Sequence, residues 1–240
     1  MPTFKPPIRH HSSPWDFFGR QHALPALLTG FLLVYLVAPS PALPQQSAAS
    51  APAQLTYTKV LKGSDPEYEQ ITVRADGSGT YDGRKLAESP NPRAFQLSSS
   101  ITQKLFDLAA ELHDFQGIQL ESRKRVADLG LKTFEYQRGA EVFHCQFNYS
   151  SVRAAQELTN LFENVGAVER HIEALDYAMR YDHLGLPREL TLIQIDLNNK
   201  ALADPQLMMG TLEEIIHNPR FLHLAQVRAQ NILDEITRNN

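Results

Sequence analysis

The chain has 240 residues, with 23 Lys and Arg against 27 Asp and Glu, and a formal net charge of −4. Three of the basic residues and one acidic residue precede position 43, so 20 basic and 26 acidic residues remain beyond it, a net charge of −6. Binding to nucleic-acid phosphates needs a basic excess, so nucleic acid is not an expected partner. The single cysteine, Cys145, excludes an intrachain disulfide, and any folded domain must depend on its hydrophobic core.

An apolar run from Ala23 to Ala38 is the main feature of the N-terminal part. The basic residues Lys5, Arg9 and Arg20 precede this run, and a stretch rich in Pro, Ala, Ser and Gln follows it over 39–54. This order is typical of an export signal or a membrane anchor joined to a soluble domain. Since Lys and Arg stay on the inner side of a membrane, both alternatives place the remaining chain outside the cytoplasm, in the periplasm or secreted.

The two alternatives for residues 1–42, a cleaved signal peptide and an uncleaved signal anchor, both remain open. The apolar run is shorter than the about 20 residues of a spanning helix, which favours a signal peptide. Prolines between the small residues at positions 38, 40 and 42 oppose cleavage there, and Trp15 in the basic segment favours an anchor of residues 23–38 in the inner membrane. Residues 43–54 are predicted to be a flexible linker.

A β-rich domain is predicted over residues 55–150. Alternation of apolar and polar residues predicts about five strands, in the segments 55–61, 70–75, 80–82, 132–137 and 141–149, with 95–98 as a candidate for a further short strand. The sequence Asp-Gly-Ser-Gly at 76–79 predicts a hairpin turn, because glycine accepts a positive φ without strain. One helix interrupts this domain: Ser100 and Gln103 fit a capping box, and the apolar spacing continues to residue 112.

A helical region is predicted over residues 151–240. Apolar residues recur at steps of three and four from 152 to 179, which predicts a long amphipathic helix that Gly166 is expected to weaken or bend. Further helices are predicted at about 187–197, 205–216 and 220–236, although 190–197 also partly alternates as a strand would. The expected fold class is therefore α+β: an N-terminal antiparallel β-rich part with one packed helix, followed by a C-terminal bundle of about four helices, packed on that part or forming a small bundle.

Known chemical motifs are missing from the sequence. It contains no Gly-x-Ser-x-Gly elbow, no glycine-rich phosphate loop, no dinucleotide fingerprint and no paired-cysteine or His-Glu-x-x-His spacing. We therefore expect no cofactor and no metal. The weak catalytic candidates are the titratable residues His113, Asp114, His144 and His217. On a strand, Cys145 points to the face opposite His144 and shares its own face with Phe143. We therefore expect Cys145 to be a core residue rather than a reactive thiol.

The weak metal-ligand candidates are Glu213, Glu214 and His217. On a helix Glu213 and His217 share a face, and the Glu214 to His217 spacing is found in di-metal helical bundles. Such a site needs a second copy and two further glutamates, and the sequence shows no second copy. His217 also lies in the last turn of the predicted helix, where a histidine interacts favourably with the helix C-terminus.

Three functional hypotheses follow. The first is an exported, non-catalytic module that binds a protein or a cell-envelope component and meets the membrane only through its N-terminal segment. The second is an extracytoplasmic, hydrolase-like enzyme whose site is assembled from distant residues, which should show a concave pocket with convergent titratable side chains. The third is a helix-mediated oligomer, which should leave exposed the apolar stripe at positions 222, 225, 229, 232 and 236.

Overall fold

The computed structural model describes residues 52–238. The predicted signal peptide or anchor lies outside these residues, as does the linker up to residue 51. An antiparallel sheet of six strands occupies the first half of the described residues, in the order β4-β3-β2-β1-β5-β6. The strands are β1 Gln54–Val60, β2 Tyr68–Arg74, β3 Ser78–Arg84, β4 Arg93–Gln96, β5 Leu131–Arg138 and β6 Glu141–Phe147.

Alternation along the strands separates a core face from a polar face. Tyr57 on β1 is paired with Ile71 on β2 and with Phe134 on β5, and all three side chains are fully buried. Thr56 and Thr72 are paired on the opposite face of the sheet, where their hydroxyl oxygens are 3.2 Å apart. The predicted β2–β3 hairpin is confirmed, since these strands are antiparallel neighbours, and the predicted strands β5 and β6 form a second antiparallel pair.

Helix α1 spans Ser99–Glu111, and the predicted capping box at its start is wrong. The N-cap is Ser98, which makes no side-chain capping hydrogen bond. Instead, the backbone N–H of Ser98 donates to Oδ2 of Asp204, 2.5 Å away and 106 residues later in the chain. A carboxylate is favourable at a helix N-terminus, so this long-range partner replaces the local pair of Ser100 and Gln103.

A left-handed turn, His113–Phe115, follows α1. All three residues have positive φ angles of 55°, 52° and 66°, which is costly for residues other than glycine. Phe115 is buried and stacks on Phe134 with the ring centroids 5.2 Å apart. Packing of the Phe115 ring in the core holds the strained turn in place.

Four α-helices follow the sheet, confirming the predicted α+β class. They are α2 Arg153–Tyr181, α3 Leu186–Asn198, α4 Met209–His217 and α5 His223–Arg238, and one 3-10 turn, Pro205–Met208, precedes α4. The ambiguous segment 190–197 is helical, and α2 continues through Gly166 without interruption. None of the helices within residues 52–238 combines the length and the apolar character that crossing a membrane requires.

The hydrophobic core consists of two clusters that meet within α2. The first joins the sheet, α1 and the N-terminal part of α2 as far as Val165, while the second begins at Val168 and includes α3, α4 and α5.

Cys145 is buried in the first cluster, as predicted, and burial raises the pKa of its thiol to about 11. In the second cluster Ile232 is buried, as are the members of the stripe at 225, 229 and 236, and Leu222 remains 43% exposed. Because most of this stripe is buried within the chain, it is not available for contact with a second copy.

Candidate functional site

The predicted catalytic residues His113, Asp114 and His144 lie on opposite faces of the sheet. His144 is exposed on β6 and points away from the core, because it alternates with the buried Cys145. His113 and Asp114 belong to the left-handed turn whose Phe115 packs into the core face. The structure therefore does not bring these three titratable side chains together.

The remaining candidates lie together on α4 but form no recognisable site. Glu213, Glu214 and His217 are exposed, and Nδ1 of His217 lies 2.8 Å from the carbonyl oxygen of Glu213. The imidazole thus interacts with the last turn of its own helix, in keeping with the predicted C-terminal role. Within residues 52–238 no group of three or more His, Cys, Asp or Glu side chains is placed to hold a metal ion.

A row of four cavities follows α2 instead, and we call this row the α2 groove. In order along the helix their volumes are about 470, 180, 370 and 460 Å³. Neighbouring cavities share wall residues: Glu163 borders the first two, Arg170 the second and third, and Glu173 the third and fourth. The α2 side chains that line them recur at helical spacing and form one stripe, which includes residues 155, 159, 163, 170, 174, 177 and 181.

The opposite wall of the α2 groove is formed by the strands in their order in the sheet. The first cavity reaches β6, β5 and β1 through Phe147, Lys132 and Lys59, and the second reaches β1 and β2 through Lys59 and Glu69. The third cavity reaches β3 through Gly83, and the fourth reaches β4 through Arg93. On the helix side the groove extends from Ala155 to Tyr181, about 39 Å at about 1.5 Å per residue. The groove therefore crosses the whole sheet.

A charged pair stands between the first two cavities. Nζ of Lys59 lies 2.8 Å from Oε1 of Glu163, and the hydroxyl of Tyr57 donates to the same oxygen at 3.1 Å. Burial and the nearby Glu163 carboxylate raise the pKa of Tyr57 far above its usual value, so this hydroxyl stays a donor. The exposed side chain of Asn160 lies one helical turn before Glu163 and lines the first cavity.

Lys132 is the most buried charged residue of the first cavity. It is paired with Lys59 across the strands, and its Nζ donates to the carbonyl oxygens of Leu129 at 3.1 Å and Asn148 at 3.0 Å, with that of Gly130 at 3.5 Å. Burial, and in addition the charge of Lys59, lower the pKa of Lys132, whereas the Glu163 carboxylate acts in the opposite direction. Three carbonyl acceptors match the three N–H groups of an ammonium ion, so Lys132 fastens the chain segments that form this wall.

The serine and threonine hydroxyls of the first cavity form hydrogen bonds with backbone groups. Oγ of Ser150 accepts from the N–H of Val152 at 3.2 Å, and Oγ1 of Thr159 donates to the carbonyl of Ala155 at 2.8 Å. A serine or threonine nucleophile requires a hydrogen bond to a base. In the described part of the chain neither hydroxyl has one, so neither Ser150 nor Thr159 is an activated nucleophile.

An ion pair with one buried partner, Glu69, forms the wall between the second and third cavities. Glu69 is buried and pairs with Arg170 of α2, directly beside Gly166. Burial raises the pKa of Glu69 despite the opposing charge of Arg170. The Arg170 guanidinium also approaches the buried hydroxyl of Tyr81, to which no group within residues 52–238 makes a well-directed hydrogen bond. The middle of the groove is therefore strongly polar.

The fourth cavity combines an arginine that is surrounded by carboxylates with two exposed aromatic rings. Arg93 lies 3.1 Å from Glu169, 3.4 Å from Asp176 and 3.8 Å from a further carboxylate of α2, that of Glu173. Tyr177 and Tyr181 are 63% and 72% exposed, and their ring centroids are 5.2 Å apart. This end of the α2 groove therefore presents two adjacent aromatic rings to solvent.

Sequence reasoning missed the groove because its walls meet only in the folded chain. Lys59 and Glu163 are 104 residues apart, and Glu69 and Arg170 are 101 residues apart, so no short motif contains either pair. The signal that was available is the polar stripe of the long predicted helix, which carries charged residues and the tyrosines 177 and 181 at helical spacing.

No protein-family model matches the chain, and no curated protein is similar to it at a significant level. The fold and the groove define an α+β domain with an elongated polar surface groove, and any function must be argued from that groove and from the N-terminal sequence.

Proposed function

We propose that this chain is an exported, non-catalytic binding module that holds an extended segment of a partner polypeptide in the α2 groove. The observation that carries the proposal is the succession of four cavities along one stripe of α2. Their total length of about 39 Å equals about 12 residues of extended chain at about 3.3 Å per residue. A single small molecule would occupy only one of these cavities.

The charge of the groove favours a polypeptide over a strongly charged polymer. Seven basic and seven acidic side chains line the four cavities: Lys59, Arg84, Lys85, Arg93, Lys132, Arg170 and Arg180 against Asp65, Glu69, Glu88, Asp128, Glu163, Glu173 and Asp176. This balance supplies no net attraction for polyphosphates or polyanionic glycans. It does supply donors and acceptors for a backbone whose N–H and C=O groups both need partners.

The N-terminal sequence supports an extracytoplasmic location for this binding. Its basic residues, the apolar run at 23–38 and the Pro- and Ser-containing stretch after it have the order of an export signal or anchor. The partner would then be another exported protein or a protein of the cell envelope. If the anchor is retained, the segment 43–54 gives the module reach from the membrane.

The proposal is tested by selection from a display library of linear 12-residue peptides on the purified full-length protein. We expect enriched peptides to bind the wild type and at least tenfold more weakly to Asn160→Trp, which places an indole in the first cavity. The matched control is Glu214→Trp, an exposed position on α4 that borders none of the four groove cavities. Absence of enrichment, or equal binding to both variants, would contradict the proposal.

The alternative function, a hydrolase-like enzyme, is favoured by one observation. The titratable side chains Lys59, Lys132 and Glu163 all line the first cavity. This alternative predicts that the wild type turns over members of a panel of ester and peptide substrates and that Glu163→Gln abolishes that turnover. The binding-module proposal predicts no turnover by either protein.

A further inference from the structure

The two tyrosines at the C-terminal end of α2 form an exposed aromatic surface. Tyr177 and Tyr181 are four residues apart, so they lie on one face of the helix, and their rings are inclined by 50°. Two adjacent exposed aromatic rings are informative, since burial of such rings normally contributes strongly to stability. Tyrosine is also a preferred residue of binding surfaces, because it offers a large contact area with few rotatable bonds.

The loop between β3 and β4 faces this aromatic surface. Asn91 and Pro92 line the same cavity of about 460 Å³ as Tyr177 and Tyr181. The rings and the proline contribute apolar atoms to the cavity wall, whereas the tyrosine hydroxyls and the Asn91 side-chain amide contribute hydrogen-bond donors. The cavity therefore suits a ligand that combines apolar rings with unpaired carbonyl groups.

The charges around the cavity leave one arginine available. Arg93 is surrounded by the carboxylates of Glu169, Glu173 and Asp176. Arg180 lines the same cavity, is exposed and has no ion pair within residues 52–238. A carboxylate of the ligand would complete a charge-assisted hydrogen bond to Arg180.

We propose that this end of the groove binds a proline-containing segment in the polyproline II conformation, with an acidic residue next to the prolines. This inference rests on the proposed peptide-binding function and names the chemistry of the peptide. Polyproline II has no internal hydrogen bonds, so its carbonyl oxygens can accept from the hydroxyls of Tyr177 and Tyr181. Its proline rings pack on aromatic grooves, and its preformed shape reduces the entropy lost on binding. The acidic residue pairs with Arg180.

The peptides enriched in the display selection test this inference directly. We expect prolines spaced three residues apart and a nearby Asp or Glu, together with an at least tenfold loss of affinity in Tyr177→Ala and Tyr181→Ala. The phenylalanine variants at both positions should lose less, because they keep the ring and lack only the hydroxyl. Arg180→Glu should reverse the preference from acidic to basic peptides. All three positions are exposed, so these substitutions leave the core intact.

The possible failures of the two proposals are distinguishable. If enriched peptides lack proline, or bind Tyr177→Ala as well as the wild type while losing affinity for Asn160→Trp, the inference is wrong and the groove proposal stands. If no peptide is enriched, both are wrong. A glycan array that binds the wild type but not Tyr177→Ala, without any enriched peptide, would replace the polypeptide ligand by a carbohydrate.

Discussion

Lys59 on β1 and Glu163 on α2 form an ion pair of 2.8 Å that fastens the longest helix to the centre of the sheet. Both side chains are about one-third exposed or less, and such pairs contribute at most about 1 kcal/mol to stability. The contribution of the pair is therefore mainly geometric. Together with Glu69 and Arg170, it sets the distance between the walls of the α2 groove.

Gly166 allows α2 to approach the sheet, and replacing it should loosen the groove. A Cβ atom at this position would collide with Oε1 of Glu69. We expect Gly166→Ala to lower the free energy of unfolding by about 1–3 kcal/mol, although alanine is intrinsically the better helix former by about 1 kcal/mol. Urea denaturation followed by circular dichroism measures this change.

Gly210 on α4 is the matched control for that substitution. Apart from its two chain neighbours and the backbone of its own helix, no atom lies within 4 Å of the position that its Cβ would occupy. Gly210→Ala should therefore raise the free energy of unfolding by about 0.5–1 kcal/mol. Equal effects of the two substitutions would show that α2 does not depend on close approach at residue 166.

Glu169 should make the stability depend on pH. Burial raises the pKa of this carboxyl, with Arg93 opposing, so the folded state holds the proton more tightly than the unfolded state. The free energy of unfolding should then fall as the pH rises from about 4.5 through the raised pKa, by about 1.4 kcal/mol for each unit of pKa difference.

The variant Glu169→Gln isolates this contribution. Glu69 and Glu173, whose pKa values burial also raises, remain in the variant, so the decline above about pH 4.5 should become smaller without vanishing. Thermal denaturation at a series of pH values from about 4.5 upward measures the stability of both proteins. A decline of the same size in wild type and variant would refute the assignment to Glu169.

Ile232 distinguishes an internal helical core from an oligomer built on α5. It is buried in the second hydrophobic cluster, so Ile232→Asp should lower the free energy of unfolding by more than about 4 kcal/mol and remove helical circular dichroism. The exposed neighbour serves as control in Asn231→Asp, which should be nearly neutral. A folded Ile232→Asp protein whose only change is a smaller oligomeric mass would favour the oligomer instead.

The N-terminal part is tested by the mass of the exported protein. A signal peptide predicts a mature chain that begins near residue 43 or 54, and a retained anchor predicts an intact N-terminus in the membrane fraction. Intact-protein mass spectrometry of the soluble and membrane fractions separates the two alternatives. Full-length protein found only in the soluble cytoplasmic fraction would contradict export altogether.

The secondary structure was largely predictable because it depends on local patterns. The alternation around Ile71 and the turn at 76–79 predicted the β2–β3 hairpin, and the strand pattern around Cys145 predicted its burial. Exposed or buried faces of single elements follow directly from their periodicity.

The features that sequence reasoning missed all depend on contacts between distant residues. Asp204 replaces the predicted capping box of α1 from 106 residues away, and the groove arises where α2 crosses six strands. Nothing local in the sequence indicates that Lys59 and Glu69 face the charged residues Glu163 and Arg170 of α2.

Hydrogen–deuterium exchange of the full-length protein with and without a selected peptide tests the central proposal most directly. The loops 61–67 and 85–92 border the groove, so their amides should exchange more slowly when the peptide is bound, while α5 should not change. In Asn160→Trp the peptide should cause less protection at the same concentration. Protection confined to α5 or to the polar face of the sheet, or no protection at saturating peptide, would contradict binding in the α2 groove.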